Sequence, residues 1–230
     1  MRKTKRNHKN IVAIIAMVVL LAFLVAGGTI AWLTRTSSLT NTFTVGSFTT
    51  PTTFPNDPTD QTDPEDVTAI SIDGNLYEPS WDATKEHKLI PSASFAKDPY
   101  VGIGAGSEDG VVYVNVVNNF SEKVYFSLNQ GWEPVLGHVV QGSLSGTYTS
   151  GLFKYVAGLT ADADKDVWTT TPLFSSVVTD EAANTSDFTP AQGNNHEIVV
   201  SSFLHQAKDD QGNAIDSATI QAAAIAAFSN

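Results

Sequence analysis

The stretch "VVYVNVVNNFSEKVYFSL", residues 111–128, sets the architecture. Val112, Val114 and Val116 share one face of an extended chain, because successive side chains of a strand point to opposite sides. Residues 118–122, polar except for Phe120, read as a turn. A second alternation follows, with Val124, Phe126 and Leu128 on one side and Lys123, Tyr125 and Ser127 on the other. Two such runs about a short polar turn predict a β-hairpin with one buried face.

The same pattern recurs outward from this centre. Residues 68–72 alternate, and further strands are expected near 147–157, 167–178 and 196–205. Gly131, Gly137, Gly142 and Gly146 punctuate the middle of the chain. Many short strands at this spacing predict a mainly β fold, a jelly-roll-like β-sandwich spanning residues 67–230. Its end has a different character. Asp216 or Ser217 can cap a helix from about 218 to 228, whose Ile215, Ala218, Ala222 and Ile225 form a shallow apolar stripe. This short C-terminal helix is expected to cover an open end or edge of the sandwich.

Charge is unevenly distributed. Of 13 basic and 24 acidic residues, five basic and no acidic ones fall in residues 1–31. The remainder holds 8 basic and 24 acidic residues, a formal charge of −16. Such a surface repels phosphate backbones and anionic lipid, which excludes nucleic acid as a partner class. There is no Cys, so neither a disulfide framework nor a thiolate metal site is available.

Arg2, Lys3, Lys5, Arg6 and Lys9 precede residues 11–26, which carry no formal charge and are almost all aliphatic. Gly27, Gly28, Thr29 and Ala31 follow. Basic flank, apolar core and small residues are the order of a secretory signal peptide, residues 1–31, cut between Ala31 and Trp32. Membrane contact is then limited to the leader before cleavage. The competing reading is an uncleaved anchor: residues 11–33 number 23, enough to span ~30 Å of hydrocarbon.

Beyond Ala31, residues 32–48 read as an N-terminal strand, with Leu39, Asn41, Phe43 and Val45 on one side and Thr40, Thr42 and Thr44 on the other. Arg35 is the only charged residue in 32–56. A near-neutral, β-prone ribbon at a chain end can add to another molecule's sheet; the alternative is an ordinary edge strand within its own domain. Residues 49–66, "TTPTTFPNDPTDQTDPED", carry four Pro, five acids and no base. They are expected to form an extended linker or loop.

The motif "GGTIAWLTRT…NTFTVG" resembles the leader and first strand of exported proteins processed by a SipW-type signal peptidase, the TasA/camelysin family. Arg35 stands where that family often has an acid. "LIPSASFAKDPYVGIGAGSEDGVVYVNVVNN", residues 89–119, is similar to a second family segment, with Ser92 where Gly is usual. "FLHQAKDDQGNAIDSATIQAAAIAAF" looks like the family's last strand and Ala-rich helix. The resemblance implies a secreted structural subunit of the cell surface or biofilm matrix, with signal peptidase and further copies of itself as partners. Assembly into a homo-oligomer or fibre by strand addition would use Leu39, Phe43 and Val45 as the pocket-filling side chains.

Two rival functions are weighed against it. Camelysins are described as metallopeptidases, but no His-Glu-x-x-His occurs, and His196 and His205 lie nine apart on an expected strand, hence on opposite faces. "GSLSG", residues 142–146, lacks a central Ser, so no catalytic residue is assigned. A monomeric adhesin or glycan-binding module would use Tyr77, Trp81, Trp132 and Trp168. The one cofactor considered is Ca²⁺, at Asp162, Asp164 and Asp166 in "TADADKDVW"; Val167 replaces the turn Gly of a helix-loop-helix calcium loop, so a solvated acidic turn is the simpler reading.

Overall fold

The computed structural model describes residues 34–38, 42–44, 48–63, 65–82, 87–190 and 196–229; for the first two ranges it describes backbone only. The chain divides into two compact units, Met1–Trp32 and Leu33–Asn230. The first, with the expected signal peptide, lies outside the described residues. Among the described residues no helix is long and apolar enough to cross a membrane.

The second unit is mainly β. Its strands are β1 (Thr34–Ser38), β2 (Thr42–Thr44), β3 (Thr53–Pro55), β4 (Val67–Ala69), β5 (Leu76–Tyr77), β6 (Ser94–Ala96) and β7 (Tyr100–Ile103). There follow β8 (Gly110–Asn118), β9 (Val124–Ser127), β10 (Trp132–Gln141), β11 (Thr147–Tyr155), β12 (Val167–Trp168), β13 (Ser176–Thr179) and β14 (Ile198–Gln206). A 3₁₀ helix (Thr185–Phe188) and one α-helix, α1 (Ser217–Ala227), complete it. A curled antiparallel sheet runs β2-β1-β14-β8-β11-β9-β13-β6, with β10 also on β11. β12-β7-β5 and β3-β4 form two smaller sheets.

Alternation in β8 does what its sequence predicts. Val112, Val114 and Val116 enter the main core with Phe126, Phe153 and Leu204. Tyr113, between them, faces the other way and joins Leu152, Phe203 and Ile220 of α1. Each fully buried side chain of this size contributes ~1.5–3 kcal/mol. α1 thus lies on a face of the sheet, not on an open end or edge. Asp216 caps it by accepting from the Thr219 N–H at 3.1 Å. The buried face is Ile220 and Ala224, whereas Ala218 and Ala222 are exposed. With so many Ala residues, spacing alone does not select a face.

The expected β8–β9 hairpin is corrected. Both strands run antiparallel to β11, β8 against Gly151–Lys154 and β9 against Thr147–Tyr148, and they do not pair with each other. Asn118 stitches the excursion between them: its N–H donates to Ser150 Oγ at 3.0 Å and its side-chain amide to the Val124 carbonyl at 2.6 Å. The expected strand at 167–178 is two, β12 and β13, parted by a loop containing Pro172.

Residues 49–66 are a docked loop, not a free linker. Phe54 is buried, with its ring edge-on to Tyr77, Tyr100 and Trp168 at 5.0–5.1 Å. Trp168 donates from Nε1 to the Thr53 carbonyl at 2.9 Å, and its backbone N–H donates to Gln61 Oε1 at 2.9 Å. One aromatic anchor overrides a Pro- and Asp-rich composition.

The turn before β6 bears on the resemblance position. Ala93 N–H donates to the Ile90 carbonyl at 3.3 Å, with Pro91 and Ser92 between. Ser92 has φ 60°, the one left-handed non-glycine among the described residues. This is a turn that favours Gly at its third position, and exposed Ser92 pays the steric cost of its Cβ. Ser92→Gly should stabilise the protein by about 1 kcal/mol, seen as a raised midpoint in urea unfolding followed by Trp fluorescence.

Candidate functional site

Two features adjoin at the margin of the curled sheet. The first is the N-terminal ribbon. β1 pairs antiparallel with β14 over five residues, from Thr34↔His205 to Ser38↔Ser201. β2 folds back on β1, with Arg35↔Thr44, Thr36↔Phe43 and Ser37↔Thr42. Within the expected single strand over 32–48, the described residues therefore form two strands, Thr34–Ser38 and Thr42–Thr44, paired with each other on the sheet's edge. Of the residues expected to mediate strand addition, Phe43 lies in β2; Leu39 and Val45, like the cleavage residues Ala31 and Trp32, lie outside the described residues.

The second feature is a pocket of about 870 Å³ where the start of β14 faces β6 and β13. Phe95, Phe120, Val177, Phe188 and Ile198 give it an apolar lining. His196 is exposed at its rim, its ring centroid 6.3 Å from that of Phe120. The 3₁₀ helix supplies one wall, held by a reciprocal cap: Asn184 Oδ1 accepts from the Ser186 N–H, and Asp187 accepts from the Asn184 N–H. Lys123 reaches Asp187 at 3.4 Å and anchors this wall to the β8–β9 excursion.

At the pocket's floor Lys97 and Glu78 form a 2.7 Å ion pair, with side chains only 6% and 4% exposed. The Lys97 ammonium lies 4.8 Å from the centroid of the Trp81 ring. His87 stacks on Trp81 at 4.0 Å. The Trp81 ring is thus already engaged by both side chains. Trp132 and Trp168 are buried in the fold, and Tyr77 packs on Phe54. The four aromatics proposed for glycan binding do not form one exposed platform.

Burial pushes the Glu78 carboxyl above its ordinary value of 4.5, opposed by the Lys97 ammonium. Glu78 Oε1 has no hydrogen-bond partner among the described residues. The pair ties the segment after β5 to the strand end of β6. Sequence reading passed over it because a Lys and a Glu nineteen residues apart carry no spacing signal.

The three Asp considered for Ca²⁺ have separate tasks. Asp166 Oδ2 accepts from the backbone N–H of Thr52 and Thr53 at 2.7 and 2.8 Å, and Oδ1 from that of Ala105 at 2.9 Å. Burial pushes Asp166 up, but the donors of Thr52, Thr53 and Ala105 outweigh it and hold the carboxyl below 3.8. Asp162 accepts from the Asp164 N–H at 2.9 Å in a local turn. No group of three or more His, Asp or Glu among the described residues converges as a metal site. His205 is buried, with Nδ1 2.8 Å from the Gln206 carbonyl, far in character from exposed His196. No family model, curated protein or solved structure matches this chain.

The two carboxylates predict opposite pH behaviour. Lys97→Met leaves Glu78 buried without its partner and should cost ~3–5 kcal/mol at neutral pH, with much of that recovered in Glu78→Leu/Lys97→Met. A carboxyl with a raised folded-state pKa favours the fold below its unfolded value, so the single-variant deficit should shrink as pH falls towards 4.5. Asp166 has a lowered folded-state pKa, so its contribution is complete above 3.8 and lost as pH falls further. The Asp166→Asn deficit should therefore be constant near neutrality and close only below that value. Urea unfolding across pH measures both.

Proposed function

We propose that this chain is a secreted structural subunit of the cell surface or biofilm matrix, which joins to further copies by exchanging its N-terminal strand. The observation that carries the reading is the β1–β14 ladder. The strands that border the sheet beside β14, β1 and β2, come from the segment just after the expected cleavage site. Its attachment is a ladder of backbone hydrogen bonds, and such bonds form as well with a neighbour's strand as with the chain's own.

The charge distribution favours the same reading. The body is acidic and repels its copies, whereas residues 32–56 carry only Arg35. Before export the apolar leader keeps this ribbon tethered at the membrane; after a cut at Ala31 it is free to pair. Exchange that passes from copy to copy without closing on itself produces a filament. The resemblance to the TasA/camelysin family supports a matrix role over the peptidase and glycan-binding alternatives, neither of which gains a converging set of residues in the site described above.

The chain has no Cys, so an introduced pair reports without interference. Ser38 and Ser201 are opposed in the ladder, at a spacing a disulfide tolerates. Oxidising assembled Ser38→Cys/Ser201→Cys protein should give a ladder of covalent multimers on a non-reducing gel, and deleting residues 32–47 should abolish fibres in electron micrographs. Monomers with an internal disulfide throughout, or fibres at normal yield from the deletion, would overturn the proposal.

A further inference from the structure

The β1 ladder stops at Ser38↔Ser201, but β14 continues to Ile198, with Ile198, Val199 and Val200 paired to β8 on their other side. Beyond that stop lies the apolar pocket, lined by Ile198 and His196. We propose that the pocket is the seat of Phe43 from a second copy, whose ribbon runs straight along β14 instead of folding back as β1 and β2 do. This rests on the strand-exchange reading above and adds to it an acceptor site, a register and a change of shape.

Register carries the first step. Five residues past Ser38 is Phe43; five residues before Ser201 is His196. A straight ribbon therefore places Phe43 opposite His196, at the pocket. Directly opposed residues of an antiparallel pair share a face. Arg35 opposes Leu204, and Val200 and Leu204 both belong to the main core, on which Ile198 also packs. In continued register Leu39 meets Val200, Asn41 meets Ile198 and Phe43 meets His196, all on that inward side. Val45 follows on the same side. In the hairpin Phe43 is paired with Thr36 instead.

Chain length carries the second step, the choice of occupant. Phe48 is buried beside Gly110 and Leu204, and Gly110 pairs with Gln206 at the far end of β14. Eight residues along the strand separate Leu204 from His196, about 27 Å. The five residues from Phe43 to Phe48 extend at most about 18 Å. Val45 would lie two residues further out, with only three residues, at most about 11 Å, to reach back to Phe48. The subunit's own ribbon is too short to reach the pocket while Phe48 stays in place, so it must turn back. A second copy's ribbon has no such tether to this subunit. It also crosses a repulsive field with only one charged side chain, Arg35, in residues 32–56.

The third step is what the hairpin does. Within one subunit β1 pairs along the β14 edge as far as Ser38↔Ser201, and β2 pairs with β1 rather than with β14. Assembly opens the hairpin, replacing the β1–β2 ladder with further pairing along β14 and the burial of Phe43.

Cysteine pairs in the full mature protein distinguish the two shapes. In assembled material Thr42→Cys/Glu197→Cys, opposed in the continued register with Phe43 intact, should give intersubunit multimers in yield comparable to Ser38→Cys/Ser201→Cys, while Ser37→Cys/Thr42→Cys, opposed in the hairpin, should cross-link only the unassembled subunit. Phe43→Asp should weaken association by roughly tenfold or more, and Phe188→Asp, on the pocket wall, should do the same with its own ribbon intact. Multimers from the 38/201 pair with none from 42/197, and Ser37–Thr42 cross-links persisting in fibres, would mean that the ribbon exchanges as a hairpin; this inference would then fail while strand exchange stands. Failure of the 38/201 pair to yield multimers would remove both.

Discussion

The nine-residue ladder between β14 and β8 is the interaction on which the remainder depends. It joins Ile198–Gln206 to Gly110–Asn118, segments some ninety residues apart, so its closure entropy must be offset by burial on both faces. Inward, Val112, Val114, Val116, Val200 and Leu204 meet the second layer. Outward, Tyr113 and Phe203 are sealed by α1 through Ile220 and Ala224. With both faces covered, β14 has only its edge left to satisfy, and the N-terminal ribbon is what satisfies it. Loss of α1's cover or of the inner core would therefore also remove the template on which that ribbon forms.

The ribbon and the body have opposite electrostatic characters, and the division has a physical use. A formal charge of −16 outside residues 1–31 keeps bodies apart. A Thr-rich segment with one charge approaches without that penalty, and its backbone groups need partners wherever they are buried. In the structure they are satisfied on the chain's own β14; in the proposed exchange they would be satisfied on a neighbour's. The two states would contain the same β1–β14 bonds, so their balance would rest on what residues 39–45 gain beyond Ser38 and on protein concentration.

Strand existence and facing were legible because β-branched alternation is local. Val112, Val114 and Val116 announce a buried face without reference to any partner. Partner choice was not legible: β8 and β9 share a face and a neighbour, β11, and alternation describes a hairpin equally well. Composition left 49–66 open between linker and loop because it averages over Phe54, while one ring against Tyr77, Tyr100 and Trp168 decides for a docked loop. The helix was legible from its Asp216 cap; its buried face was not, since Ala occupies six of its eleven positions. Lys97 and Glu78 meet only through the fold, and the pocket above them is assembled from β6, β13, β14 and a 3₁₀ turn.

The ribbon shows where sequence periodicity and structure part company. Leu39, Asn41, Phe43 and Val45 alternate as one uninterrupted strand, yet the chain breaks that run into β1 and β2. Periodicity reports what a segment would bury if extended; it is silent on whether the chain can reach the place where that burial occurs. Here Phe48, fixed in the core three residues after Val45, forbids the extended form within one subunit. A pattern that its own chain does not satisfy, beside a pocket in the matching register, is what the proposed assembly would use. The local disagreement between sequence and fold is therefore the ground on which the proposed exchange rests.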